Sequence, residues 1–130
     1  MNPRMLNGAD FSRLENLLES TSSPRPTPEQ QNALRAVLEE TKSTPNLSEL
    51  ECCVALGDRL TLVSPLDSRD WYKPEIVMPA EADLDQDLIS VLMPIGLAVL
   101  GRRIGERISW ETPAGTREMT ITAVRKQALV

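Results

Sequence analysis

The side chains able to do chemistry are few, and their spacing suits catalysis poorly. The chain has no histidine, so Cys52, Cys53 and the serines lack the imidazole base that the usual Ser-His or Cys-His arrangements need. Cys52 and Cys53 are adjacent, which suits neither a disulfide framework nor a four-ligand zinc site, and they are expected as reduced thiols with at least one buried. Carboxylates alternate at Glu81, Asp83, Asp85 and Asp87. That run suggests calcium, yet it lacks the glycine and closing glutamate of an EF-hand loop and reads as a solvated loop. Glu19 and Glu29 flank the stretch STSSPRPTP and could lie near each other as a carboxylate pair; the plainer role of Glu29 is to complement a helix N-terminus. Arg102 and Arg103 are expected as a solvated helix end rather than an anion site. No cofactor and no metal is expected.

The glycines invite one more reading. Three of the six glycines fall in ISVLMPIGLAVLGRRIG, residues 89–105, but neither G-x-G-x-x-G nor a G-K-[ST] ending is present. Gly101 and Gly105 follow the apolar segment instead of preceding it, where amides and dipole would favour a phosphate. Gly101 is placed to end a helix in a left-handed cap, and Gly105 to turn the chain into the next strand.

The elements that must position these residues follow from periodicity. Phe11, Leu14 and Leu18 recur at helical spacing, with Asp10 as the expected N-cap. Three prolines in STSSPRPTP then exclude helix and strand. Thr27, Pro28 and Gln30 form the capping box of a second helix carrying Leu34, Val37 and Leu38. Together the two read as a short antiparallel hairpin, bounded by STPN at 43–46. Beyond residue 50 the period changes to two. Leu60 and Leu62 share a strand face, and Tyr72, Ile76 and Met78 share another, with Pro74 facing the other side and marking an edge or bulge. Ile108, Trp110 and Thr112 should pair with Met119, Ile121 and Ala123 in an antiparallel hairpin turned by PAG. Ile89 to Leu92 is a short buried strand, and Pro94 starts a helix whose Ile95, Ala98 and Val99 face the sheet. The class is α+β: a helical hairpin, then a twisted antiparallel sheet with one packed helix.

Composition limits the rest. A net charge of −5 with a pI near 4.8 argues against non-specific nucleic-acid binding, which needs a basic footprint. No run approaches the ~20 apolar residues of a membrane span, and MNPRMLNGADFSR has no signal-peptide apolar region. A cytoplasmic protein is expected. With 3% aromatic residues, Leu, Ile, Val, Met and Ala must build the core.

At residues 89–124 a family resemblance appears. ISVLMPIGLAVLGRRIGERISWETPAGTREMTITAV resembles the C-terminal, FKBP-like domain of the bacterial Gre transcript-cleavage factors, in the pattern I-S-x-x-x-P-x-G/A-x-A-L-L-G-x-x-x-G-[DE], a strand, a P-x-G turn and a final strand; VMPAEAD upstream is also similar. The two short helices, and LVSPLDSRDWYKPEIVMPAEADLDQDLISVLMPIG, make the whole chain similar to the short-armed relatives called regulators of nucleoside diphosphate kinase. The resemblance implies residues 1–46 as a coiled-coil-like arm and 47–130 as an FKBP-like domain. It further implies binding as a monomer to RNA polymerase at the rim of its secondary channel, through Leu92, Met93, Pro94 and Ile95, without direct sequence-specific binding of nucleic acid and without a membrane. Leu92 departs from the acidic residue some Gre factors carry there, so an apolar contact would replace a polar one. Leu92, Met93 and Ile95 have a competing assignment to the core.

Two enzymatic alternatives accompany that implication. The FKBP-like fold suggests a peptidyl-prolyl isomerase, but fold does not carry chemistry, and Phe11, Trp71, Tyr72 and Trp110 are too few to enclose an aromatic pocket. A transcript-cleavage factor would need acids at the arm tip to help hold a catalytic magnesium. Here the tip, Pro24, Arg25 and Pro26, presents a cation, leaving only Glu19 and Glu29 to serve. No enzyme activity is expected.

Overall fold

The computed structural model describes residues 3–21 and 24–127; Ser22 and Ser23 of the proline-rich loop, and the outermost ends of both expected domains, lie outside them. The chain begins with β1 (Arg4–Leu6), followed by α1 (Gly8–Leu18) and α2 (Pro28–Glu39). The capping box of α2 forms as read: Thr27 Oγ1 accepts from the Gln30 amide at 3.1 Å and Gln30 Oε1 accepts from the Thr27 amide at 2.9 Å. The helices pair as a hairpin, with Gln31 Nε2 donating to the Leu18 carbonyl at 2.9 Å near the connecting loop.

Two expectations for α1 are corrected. Asn7, not Asp10, is the N-cap, because the helix starts earlier and the Asn7 side chain accepts from the Asp10 amide at 2.7 Å. The fully inward residues are Leu14 and Leu17, whereas Phe11 and Leu18 are only partly buried. The helical period is as expected, but packing turns the face of Asp10, Leu14 and Leu17 inward.

After α2 come β2 (Thr41–Ser43) and the short α3 (Leu47–Leu50). Strand β2 pairs in parallel with β1, a small sheet the sequence does not announce. The larger sheet contains β3 (Arg59–Val63), β4 (Trp71–Tyr72), β5 (Glu75–Val77), β6 (Leu88–Ser90), β7 (Arg107–Thr112) and β8 (Gly115–Arg125). Its order is β6-β5-β3-β8-β7, with β4 also on β3. The sheet is curled and mostly antiparallel, but β5 and β6 run parallel, so the all-antiparallel expectation fails at that edge. The crossover passes through two 3-10 turns, Pro79–Glu81 and Leu84–Gln86, and Asp87 closes the second in the left-handed region at φ 57°.

The hairpin of β7 and β8 forms in the expected register, Ile108 opposite Met119 and Trp110 opposite Arg117. Ala123 does not face the core. A register shift against β3 between Thr61 and Leu62 puts Ile121 opposite Leu62 but Val124 opposite Leu60. Ala123 is thereby turned to solvent and Val124 packs on the core instead. Nor do Tyr72, Ile76 and Met78 form one buried face: Pro74 interrupts the strand, and Ile76, Val77 and Pro74 are buried while Tyr72 and Met78 are only partly so. One contiguous apolar cluster runs from Leu6, Leu14 and Leu34 through Leu60 and Leu62 to α4 (Pro94–Val99), Met119 and Ile121.

Candidate functional site

The segment 88–101 is built by close backbone approaches. Ser90 organises the turn into α4: its Oγ accepts from the Leu92 amide at 3.1 Å and its carbonyl accepts from the Met93 amide at 3.0 Å. Pro94 takes the first helical position, where its missing N–H costs nothing. Gly96 then sits directly on this turn; a Cβ there would lie 2.5 Å from the Ser90 carbonyl oxygen and 2.9 Å from the Val91 Cα. The glycine lets helix and turn touch, and this contact fixes the corner that Met93 and Pro94 occupy.

The other end of α4 is stitched to three parts of the chain. Gly101 follows the Leu100 cap with φ +73°, as expected of a left-handed helix end. Its amide donates to the Val54 carbonyl at 2.9 Å, and its carbonyl accepts from the Met5 amide at 3.0 Å. Arg4 completes the end. Its Nη1 donates to the carbonyls of Leu97 and Leu100, two of the unsatisfied acceptors of a helix terminus, while its Nε meets Glu40 Oε1 at 2.5 Å. Burial, and then the neighbouring Arg102, lower the Arg4 pKa from its ordinary value, against the opposing pull of Glu40.

Arg102 and Arg103 are therefore not a solvated helix end. Arg102 reaches Glu40 at 3.4 Å with its side chain mostly covered, and Arg103 bridges to Cys53 through its backbone and lays Nη2 against Met5 Sδ. Cys53 is buried and Cys52 exposed, both free thiols. Burial pushes the Cys53 thiol above its ordinary value, with Arg103 pulling the other way.

Three of the four predicted contact residues, Leu92, Met93 and Pro94, line a groove of about 620 Å³ between α2, the turn into α4 and β7, together with Leu97, Ala98 and Trp110 among others. Leu92 (5% exposed) and Ile95 (7%) are core residues. Ile95 does not line the groove. Met93 is half-buried and Pro94 exposed, so this pair carries the accessible part of the motif. Within α4 the buried positions are Ile95, Gly96, Leu97 and Val99; Ala98, expected against the sheet, is only partly covered and belongs to the groove wall. Trp110 is half-buried and supplies the single aromatic ring of the lining. The polar rim comes from Thr27, Glu29, Gln30, Ser109 and Glu111. An apolar floor with such a rim suits docking of another surface better than bond chemistry.

The arm tip is less extended than its composition suggests. Pro24 and Arg25 are exposed, but Pro26 is buried, where the loop folds over the hairpin end beside Leu18 and Gln31. Glu19 and Glu29 line separate clefts, Glu19 beside Arg25 and Glu29 beside the groove. Among the described residues no group of three or more His, Cys, Asp or Glu side chains is arranged to hold a metal.

Two buried carboxylates hold loops in place: Asp58, which the sequence reading does not single out, and Asp10, expected there only as a helix cap. Asp58 is buried; its carboxylate accepts from the Ala55 and Gln127 amides, each at 2.9 Å, and meets Lys126 Nζ at 2.6 Å. That cluster ties the end of β8 to the loop before β3. Asp10 reaches the Leu56 amide at 3.1 Å, and burial raises its pKa. A Gly-Asp pair entering a strand was the available signal for Asp58; Asp10 gave none beyond its helix.

The comparisons with known proteins bear on this same region. The family model described as transcription elongation factor GreA/GreB, C-term, matches residues 51–126. The transcription elongation factor GreA of Xylella fastidiosa is 35% identical over 71 residues, which are 55% of this chain and 44% of that protein. The transcription inhibitor protein Gfh1 of Thermus thermophilus is 40% identical over 73 residues, 55% of this chain and 46% of that one. The chain thus spans less than half the length of these curated relatives. Among solved structures, a prokaryotic transcription elongation factor GreA/GreB from Nitrosomonas europaea superposes with a TM-score of 0.76 at 25% identity, covering 97% of this chain and 100% of the other. The match runs from Glu51 through the α4 corner to the end of the last strand, over more than half of the chain, and on that ground the chain belongs to the GreA/GreB C-terminal family of transcription elongation factors.

Proposed function

We propose that this protein is an RNA polymerase-binding transcription regulator of the nucleoside diphosphate kinase regulator type, cytoplasmic and monomeric, which docks at the rim of the secondary channel without stimulating transcript cleavage. The observation carrying the binding half is the Met93-Pro94 corner, an accessible apolar point held rigidly at the mouth of the groove. Leu92 and Ile95 act beneath it as support, since both are buried. The reading takes residues 1–46 as the arm and 47–130 as the docking unit.

The arm supports the second half. Its helices have 11 and 12 residues, about 18 Å at 1.5 Å per residue, and its loop presents Arg25 in place of carboxylates. A like-charged guanidinium would repel the metal that a cleavage factor must help hold. One relative is named an elongation factor and another a transcription inhibitor, and the acid-free tip favours the second kind of behaviour.

Co-purification with core RNA polymerase tests the binding half. Met93→Glu and Pro94→Ala should each weaken binding while leaving the thermal transition within a few degrees of wild type, as exposed or half-exposed positions allow. Unchanged binding in both folded variants moves the interface elsewhere.

A further inference from the structure

The walls of the apolar groove come from two different parts of the chain. Glu29 and Ala33 belong to α2, Trp110 and Glu111 to β7, and the Met93-Pro94 corner forms the third side. Charge is left to the rim, and there the accessible charge has one sign. Glu29 and Glu111 are both exposed. Arg4, the cation of the lining, is only 7% exposed and spends its donors on Glu40 and the α4 carbonyls.

Neither glutamate is committed to a cation of its own chain. Among the described residues no ion pair involves Glu29 or Glu111. Glu111 Oε1 accepts from the Thr116 hydroxyl at 2.6 Å, across the β7-β8 pair, and a neutral hydroxyl leaves the charge in place. Glu29 stands in the first turn of α2, where the helix dipole favours an acid. That accounts for the residue type, while its carboxylate stays in solvent at the mouth of the groove.

We propose that the groove accepts an apolar side chain of its protein partner with a lysine or arginine beside it, the cation meeting Glu29 or Glu111 at the rim. The proposal rests on the docking reading above and specifies the chemistry of what docks. Lysine and arginine carry apolar stems that can lie along such a wall while the charged end remains at the rim. Charge at the edge of an apolar contact sets on-rate and salt dependence more than affinity. Because Glu29 belongs to the arm and Glu111 to the sheet, the bound segment touches both.

The test measures affinity for core RNA polymerase at low salt and at about 0.5 M salt, where the Debye length falls below about 8 Å. Glu29→Gln and Glu111→Gln, combined in one chain whose fold is checked by thermal melting, should bind about two- to fivefold more weakly at low salt and show a flatter salt dependence. Glu111→Lys should lose more than Glu111→Gln. Ala33→Phe, at an exposed position of α2, should fill the groove and weaken binding about fivefold or more at both salts. Pro94→Ala should lose affinity while keeping the wild-type salt slope. Unchanged affinity and slope in the double glutamine variant, or tighter binding, would overturn the cation; wild-type affinity in Ala33→Phe would overturn the groove as the seat of the apolar side chain. Either result leaves the docking reading standing if Pro94→Ala still weakens binding. No binding of the wild type at either salt would overturn both.

Discussion

Helix α4 has two ends that solve different problems. At its C-terminal end Gly101, Arg4, Val54 and Met5 lock together by backbone contacts and a buried guanidinium. At its N-terminal end Pro94 is exposed and Met93 is half-covered. A six-residue helix has too few internal hydrogen bonds to hold its own shape. The locked end, and the Gly96 contact under the first turn, therefore fix the direction of the displayed end. Rigidity at one end is what allows an apolar corner to be shown at the other without collapsing into the core.

Substitutions that attack the locked end should produce the largest losses of stability. Gly101→Ala must hold alanine at φ +73° and place a Cβ 2.9 Å from the Arg4 Cβ and 3.1 Å from the Met5 amide. It should cost about 3–4 kcal/mol, from left-handed strain and overpacking together. Gly96→Ala meets backbone at 2.5 Å and should cost about 2 kcal/mol, since overpacking is partly offset by the better helix propensity of alanine. Urea denaturation separates the two, and near-neutral values for both would dissolve the contrast between the ends.

Trp110→Ala tests the junction between core and groove. A fully buried ring would cost ~3–5 kcal/mol, but Trp110 is only half-buried, so about 2 kcal/mol is expected, together with weaker polymerase binding because the groove loses its aromatic wall. A stability loss with unchanged binding would assign the ring to folding alone.

The smallest expected effect lies far from the corner. Burial raises the pKa of Asp10, opposed by the Leu56 amide and Arg13, with Asp58 and Lys126 as the other charges nearby. A raised folded-state value means that Asp10 favours the folded state when protonated, so its contribution is present below the unfolded pKa and lost as pH rises through the folded one. Asp10→Asn, which still offers an acceptor to Leu56, should flatten that part of the stability profile. A variant profile parallel to wild type across that window would show Asp10 to be without influence.

Both ends of α4 are announced in the sequence by local signals. Pro94 and Gly101 mark their helix positions through their own backbone geometry, and the Thr27 capping box does the same for α2, so these were legible. Arg4 and β1 were not. Three residues near the N-terminus carry no period, and their burial depends on Gly101, which lies far along the chain. The same holds for Ala123, whose face is reversed by a bulge against β3, and for the parallel β5–β6 edge. At the groove the motif indicated the region, but which members face outward is decided by tertiary packing: Leu92 and Ile95 inward, Met93 and Pro94 at the rim.

RNA shortening in backtracked elongation complexes tests the central claim most directly, first with this protein alone and then with it titrated against a GreA factor. The account predicts no cleavage above background from the protein alone and a concentration-dependent fall in GreA-stimulated cleavage, weakened by Met93→Glu. Magnesium-dependent cleavage by the protein alone, lost in Glu29→Gln, would contradict it and make a carboxylate beside the groove the functional group.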